Sequence, residues 1–286
     1  MYVITGITGQ VGGALANALL EAGKPVRAVV RDEKKGAAWS SRGCEVALAD
    51  MTDADALASA FEGAEGVFIL PPPEFDPAPG FPEAREVIDA LLSAVTRANP
   101  RRIVCLSTIG AQATQINLLT QRTLLEEALR KQSIPVTFLR PGWFMENCVW
   151  DVASARDEGI VRSFLQPLER AIPMVATDDI GRLAAQLLQE EWTGTRTVEL
   201  EEPQRTSPDD IAAAFSDVLG RTVRVEAVPR EAWSALFVSQ GMKHPTPRIQ
   251  MLDGFNEGWL DFEGGCDDIV KGTTPLRDVL RRLVAR

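Results

Sequence analysis

The sequence predicts an α/β protein built on a doubly wound parallel sheet, with a small α/β lobe toward its C-terminal end. Three observations point there. Apolar, β-branched runs alternate with helical stretches through the first part of the chain, as successive βαβ units do. Most of those runs are apolar throughout, the pattern of strands covered on both faces. A different texture begins near Pro203, where Thr206-Ser207-Pro208-Asp209-Asp210 marks a fresh helix start, with proline in the first turn and acids at the positive end of the dipole.

The elements follow in order. Strands are predicted over Tyr2–Thr5, Val26–Val30, Glu45–Ala49, Gly66–Leu70, Ile103–Ser107, Thr137–Arg140 and Thr197–Glu201. A helix from Gln10 to Ala22 is closed by Gly23. Thr52-Asp53-Ala54-Asp55 reads as a capping box before Ala56–Phe61. Pro82 to Asn99 and Leu118 to Gln132 carry apolar residues at helical period, and Asp178-Asp179 reads as the cap of Ile180–Gln189. Beyond Pro203 come a strand over Val223–Val228, helices around Glu231–Gln240 and Arg248–Gly258, and a last helix from Thr274-Pro275 through Val284. Trp233, Phe237, Met242, Met251 and Phe255 read as packing of the small lobe, and some of them as the wall of an apolar pocket.

Bulk properties exclude several classes of partner. The 286 residues carry a net charge of −10, which disfavours a nucleic-acid backbone or an anionic membrane surface. No apolar stretch approaches the length of a membrane span. Cys44, Cys105, Cys148 and Cys266 are far apart, with no metal-ligand spacing. A reducing cytoplasm is expected, and the sequence leaves room for a homodimer.

The most informative run is Thr5-Gly6-Ile7-Thr8-Gly9-Gln10-Val11-Gly12, directly after an apolar strand and opening an alanine-rich helix. Gly6 permits a sharp turn, Gly9 lets backbone approach a pyrophosphate, and Gly12 lets the helix pack on the strand. Thr8, Gln10 and Val11 then line the phosphates, facing the N–H groups at the helix start. An ordinary tight βα turn is the alternative. On this basis residues 1–150 are expected to form a dinucleotide-binding core, with 151–286 completing the sheet and forming a substrate lobe.

The second strand ends Val29-Val30-Arg31-Asp32. Arg31 with Lys35 predicts the 2′-phosphate of NADP, because a guanidinium matches phosphate geometry. Asp32 either holds Arg31 or sits on the ribose of NAD, and a solvated charged turn is the plain alternative. Asp50-Met51, after the third strand, would border the adenine, or Asp50 would merely precede the Thr52 cap. Leu70-Pro71-Pro72 opens a stiff loop at the carboxyl edge of the sheet, where open α/β sheets bind ligands.

The glycine turn and Val29-Val30-Arg31-Asp32, together with the run Thr137-Phe138-Leu139-Arg140-Pro141-Gly142-Trp143-Phe144-Met145-Glu146-Asn147, resemble the NmrA-like branch of the atypical short-chain dehydrogenase/reductases. Asp178-Asp179-Ile180-Gly181 and the helix at Thr273–Leu280 extend the resemblance over nearly the whole chain. It implies a Rossmann domain binding NAD(P), a small α/β lobe and a cleft between them, bordered by Pro141, Gly142, Trp143 and Phe144. The two aromatics read equally as core. Family members include NADPH-dependent quinone reductases, aromatic ether reductases, tailoring enzymes and non-catalytic redox sensors, so fold alone does not choose among them.

The family's full mechanism uses Tyr-x-x-x-Lys, yet the single tyrosine here is Tyr2, in the first strand. Aligned by the resemblance, the tyrosine position falls near Leu118 and the lysine near Arg122. An arginine keeps its proton at working pH, so Arg122 cannot donate one; it can hold a ribose hydroxyl or stabilise developing negative charge. A solvated helix arginine is the alternative. Ser107 and Thr108 could donate hydrogen bonds to a reacting oxygen, or simply cap the next helix. A site without an acid suits quinones or similar electron-poor conjugated acceptors, whose reduction gives a stabilised anion. The expected activity is NADPH-dependent hydride transfer to such a small molecule. The alternatives are a non-catalytic NADP(H) sensor and a tailoring enzyme of an aromatic metabolite. His244, the one histidine, lies in an expected surface loop.

Overall fold

A computed structural model describes residues 1–264 and 268–285. Cys266 lies outside the described residues. The chain opens with β1 (Tyr2–Ile4), α1 (Gln10–Glu21), β2 (Val26–Val30), α2 (Glu33–Ser40), β3 (Glu45–Leu48), α3 (Ala54–Phe61), β4 (Gly66–Ile69) and α4 (Pro82–Ala98). It continues through β5 (Ile103–Leu106), α5 (Thr120–Leu129), β6 (Val136–Pro141), β7 (Trp143–Phe144), α6 (Val152–Asp157), β8 (Ile160–Ser163), β9 (Met174–Val175) and α7 (Thr177–Gln189). The rest is β10 (Thr195–Glu201), α8 (Pro208–Leu219), β11 (Arg224–Ala227), α9 (Trp233–Ser239), α10 (Thr246–Glu257), β12 (Val270–Lys271) and α11 (Leu276–Val284).

Among the described residues, eight strands form one sheet in the order β12-β10-β6-β5-β4-β1-β2-β3, all paired in parallel. The order reverses between β1 and β4, and the crevice there, at the carboxyl ends of the strands, is where such sheets take ligands. Successive residues of β1 feed opposite faces. Val3 packs with Leu57, Leu91 and Phe138, while Ile4 packs with Leu15, Leu139 and Ile180. Burial of each such Leu, Ile or Phe contributes about 1.5–3 kcal/mol relative to exposure, so both faces hold helices. A third cluster, with Trp233, Phe237 and Phe255 at its centre, is the core of the small lobe.

Helix α7 lies close against α1. A Cβ on Gly181 would sit 2.5 Å from the Cβ of Ala14 and 2.6 Å from the nitrogen of Leu15, so only glycine allows this approach. The contact brings the start of α7 beside the start of α1, where Thr177 donates to Gln10 Oε1 at 3.2 Å.

Several local expectations are corrected. Residues 33–40 form a helix, not a charged turn, and Asp32 caps it by accepting from the Lys34 nitrogen at 2.8 Å. Asp32 is therefore bound to its own helix rather than to Arg31. The cap of α3 is Asp53, which accepts from Asp55 and Ala56, while Thr52 donates its hydroxyl to Asp50. The Asp178-Asp179 pair does not cap α7, which already starts at Thr177. Asp179 instead accepts from the backbone of Thr273 and Thr274 and holds the C-terminal segment. The strand expected near Val223–Val228 is β11, and its partner β8 had no signal of its own. The helix start at Ser207 is as expected, with Ser207 and Asp210 forming a reciprocal capping box.

Candidate functional site

The glycine turn is made almost wholly of backbone. Gly6 has φ +67°, a left-handed conformation that favours glycine. The nitrogen of Gly9 donates to the Gly6 carbonyl at 3.0 Å. A Cβ on Gly12 would lie 2.3 Å from that carbonyl oxygen, so any side chain there would force the turn open. Thr5 fastens the turn to the neighbouring strand: its hydroxyl donates to Phe68 O at 3.1 Å and accepts from Leu70 N at 2.8 Å. The N-cap of α1, Gly9, has no side chain to bond the first turn. Among the described residues, the N–H groups of Gln10, Val11 and Gly12 have no acceptor. Three donors at the positive end of a helix make an anion site.

Beside the turn lies a cavity of about 430 Å³ lined by Ile7, Thr8, Gly9, Gly13, Lys35, Ala38 and Trp39. Lys35 thus faces the same space as Thr8 and Gly9. Trp39 and Ala38 had no sequence signal, because the helix that carries them was not expected. Arg31 is exposed and, among the described residues, in no ion pair. Asp50 accepts twice from Thr52, and the backbone bond from Thr52 is the main cause holding its carboxyl below the ordinary value. Met51 is buried.

Across the crevice, the loop after β4 meets the start of α5. Arg122 is half-buried, and its Nη2 donates to the carbonyl of Pro71 at 3.1 Å. Among the described residues that is the one hydrogen bond of its side chain, which leaves four of the five guanidinium N–H donors free. Burial lowers its pKa from the ordinary arginine value. Pro71 is buried and Pro72 exposed, while Leu70 packs beneath Gly6. Leu118, near the position of the family tyrosine, is buried, and its nitrogen donates to Pro247 of the small lobe at 2.8 Å.

Ser107 and Thr108 part company. The Ser107 hydroxyl donates to Glu126 Oε1 at 2.5 Å inside the protein. A hydroxyl has one proton to give, so Ser107 departs from its expected part as a donor to substrate. The Thr108 hydroxyl, half-buried, has no partner among the described residues. Glu126 also receives Arg140 in a bidentate pair, at 2.8 and 2.7 Å, and Arg130 at 3.0 Å. Burial raises the Glu126 carboxyl, but the hydrogen bonds from Arg140 and Ser107 and the charge of Arg140 outweigh it and hold it low. Arg140 reaches on to Gln112 at 3.2 Å and Glu263 at 2.8 Å. This network, which sequence reading did not predict, ties β6, α5 and the segment before β12 together under the cleft. Its signal was present: Arg140 is the one charge in a buried strand, and a buried guanidinium needs a carboxylate.

After β6 the chain turns tightly. A Cβ on Gly142 would lie 2.6 Å from the Pro173 carbonyl. Trp143 and Phe144 then form β7, both half-buried, pairing with Met174 and Val175. The Trp143 ring meets Phe255 of α10 edge-on, centroids 5.2 Å apart. Glu146 reaches the backbone nitrogen of Thr177 with both oxygens, at 3.1 and 3.0 Å, and so caps α7 from a distance. The loop after β4 is pinned to the small lobe, since Asp76 accepts from the backbone nitrogens of Lys243 at 2.8 Å and His244 at 2.6 Å. That places His244 in the rim contact, through its backbone. The structure thus brings the glycine turn, Lys35, Pro71, Arg122, Thr108 and Trp143 to the carboxyl edge of the sheet.

The model of the NmrA-like family matches residues 2–257. Among curated proteins the chain is similar to an NAD(P)H azoreductase of Xenophilus azovorans, 28% identical over 96% of this chain and 93% of that protein. It is also similar to Quinone oxidoreductase 2 of Escherichia coli strain K12, 25% identical over 85% of this chain and 82% of that protein. Among solved structures it resembles a triphenylmethane reductase of Citrobacter sp., with a TM-score of 0.82 and 24% identity, covering 100% of this chain and 99% of the other. An Escherichia coli NADPH-dependent quinone oxidoreductase complexed with NADPH superposes with a TM-score of 0.82 at 21% identity, covering 99% of each chain.

Proposed function

The chain belongs to the NmrA-like family, and we propose that it is an NADPH-dependent reductase of quinones or similarly electron-poor, conjugated small molecules. The relatives' names, an azoreductase and a quinone oxidoreductase, fall within that substrate class. The observation that carries the reading is the composition of the crevice wall. It offers a half-buried guanidinium with free donors and an unpartnered threonine hydroxyl, with a buried leucine near the position of the family's acid.

The residues present fit the dinucleotide. The unaccepted N–H groups at the start of α1 suit the pyrophosphate, and Gly12 keeps the backbone within reach of it. Arg31 and Lys35, neither in an ion pair among the described residues, suit a 2′-phosphate. Asp50 and Met51 border the adenine side, and Gly142, Trp143 and Phe144 border the nicotinamide side. When bound, NADPH supplies a hydride. Arg122 orients the nicotinamide ribose and places positive charge where the acceptor gains negative charge. Thr108 donates a hydrogen bond to the acceptor oxygen. Trp143 and the loop after β4 shield the hydride transfer, and the reduced, stabilised oxygen takes its proton from solvent when the product leaves, since among the described residues the wall offers no acid poised to give one.

Steady-state NADPH oxidation across a panel of quinones tests the reading. Turnover above the uncatalysed rate is expected, with Thr108→Val reducing kcat about tenfold, less than the full loss of an oxyanion donor because the anion is already stabilised. No oxidation with any quinone would remove the proposal.

A further inference from the structure

The small lobe contains a guanidinium whose partner is missing. Among the described residues, the arginines that are not fully exposed mostly have an oxygen to hold. Arg27, Arg140, Arg196 and Arg205 are paired with carboxylates, and Arg102 and Arg122 with backbone carbonyls. Arg248, half-buried on α10, has none. Its guanidinium lies over the ring of Phe237, 4.4 Å from the centroid, and among the described residues its only polar contact is Nη1 to Met242 Sδ at 3.8 Å. Five donors in a fork that matches an oxyanion are thus held on an aromatic platform, in a protein with ten more acidic than basic side chains. Burial without a counter-charge lowers its pKa from the ordinary value, a cost that an arriving anion would relieve.

The placement of Arg248 gives that anion a source. Arg248 and Phe255 are seven residues apart, so they share one face of α10. Phe255 is buried and packs edge-on against Trp143, so that face of α10 meets the segment leaving β6. At the near end of the helix, Pro247 accepts from Leu118, and the preceding residues 243 and 244 are pinned by Asp76. Arg248 therefore stands on the small-lobe rim of the crevice, on the side away from the glycine turn.

We propose that Arg248 is the anchor for an anionic substituent, a carboxylate, sulfonate or phosphate, on the planar acceptor. The inference rests on the reductase reading for the identity of that acceptor. The anion sits in the guanidinium fork, the ring system lies against Trp143, and the reducible end points toward Thr108 and Arg122.

The test is equilibrium binding to NADP⁺-saturated protein, which reports on the anchor without turnover. A neutral naphthoquinone and its ring-sulfonated counterpart are titrated separately, following tryptophan fluorescence. The sulfonated compound is expected to bind about tenfold or more tightly, as a charge-assisted bidentate contact does. Arg248→Met brings the ratio of the two Kd values toward one, and Arg248→Lys, which keeps the charge but loses the fork, retains part of it. Equal affinities in the parent protein, or a ratio that survives Arg248→Met, overturn the proposal. A preserved ratio in the parent protein without NADPH oxidation leaves the anchor standing and removes the reductase reading instead.

Discussion

The two walls of the cleft are built by different means. On the β1–α1 side, backbone does the work over a few residues: the Gly9 N–H to Gly6 carbonyl bond and the Gly12 contact at van der Waals limits. On the β6–α5 side, the wall stands on side chains far apart in sequence. Glu126 holds Arg140, and Arg140 reaches Gln112, Glu263 and Glu199. A backbone wall is fixed by the turn that makes it. A wall of buried charges is fixed only when every partner is present, and it fails as a unit.

The strongest way to break that contrast is Glu126→Ala. It strips Arg140 of its bidentate partner and leaves a buried cation with Gln112, Glu263 and, at 3.8 Å, Glu199. Loss of one partner of a buried pair costs about 3–5 kcal/mol, measured as a shift in the urea midpoint. The effect has a pH signature. The Glu126 carboxyl is held below its ordinary value in the folded chain. Its contribution is therefore present above the unfolded carboxylate range, about pH 4.3, and lost as pH falls through the folded value. The gap between parent and variant should narrow in acid. A gap that is flat with pH, or well under 1 kcal/mol, would mean that the far wall does not depend on its charges.

Gly12→Ala probes the other wall. The added methyl meets three backbone atoms of Gly6 and Ile7 within 2.8 Å, and none can move without the turn. Overpacking of this kind costs about 1–3 kcal/mol. The sharper effect is on the ligand: NADPH affinity should fall about tenfold or more, because the orphan N–H groups lose their alignment. Gly9→Ala, whose Cβ would meet the Gly6 carbonyl at 3.3 Å, should be milder on folding. Equal shifts of the urea midpoint from the two alanines would contradict the role given to the Gly12 contact.

The same contrast explains what the sequence discloses. The glycine spacing, the apolar strand runs and the helix start at Ser207 are all local, and the structure has each of them where the sequence signals it. Lys35, marked by its offset from a strand end, does line the cavity beside the glycine turn. Trp39 was not so marked, since α2 is short, weakly apolar and cued only by Asp32, a residue that invited a functional role. Ser107 looked free because Glu126, nineteen residues away, gave no sign of turning inward. Arg248 was invisible for a related reason: one more arginine at a helix start says nothing until its lack of a partner is known.

A last pair of acids, in the short 3-10 helix over Met145–Asp151, carries the contrast to a single element. Glu146 has the Thr177 nitrogen on both oxygens, whereas the Asp151 carboxylate has no partner among the described residues. Burial alone pushes the Asp151 carboxyl up to about 7. An unfolded aspartate titrates near about 3.9. Between those values the folded chain keeps a proton that the unfolded chain has released, so stability falls as pH rises from about 4 to about 7 and stays reduced above. Asp151→Asn, neutral and of the same shape, removes that penalty. At pH 8 the variant should melt about 2–4 °C above the parent, roughly 1 kcal/mol for a chain of this size, and at pH 4 the two should coincide. A Tm difference independent of pH would assign the effect to packing instead. A variant that melts lower at pH 8 would mean that the carboxylate has a partner when charged, and that the turn is held by both of its acids.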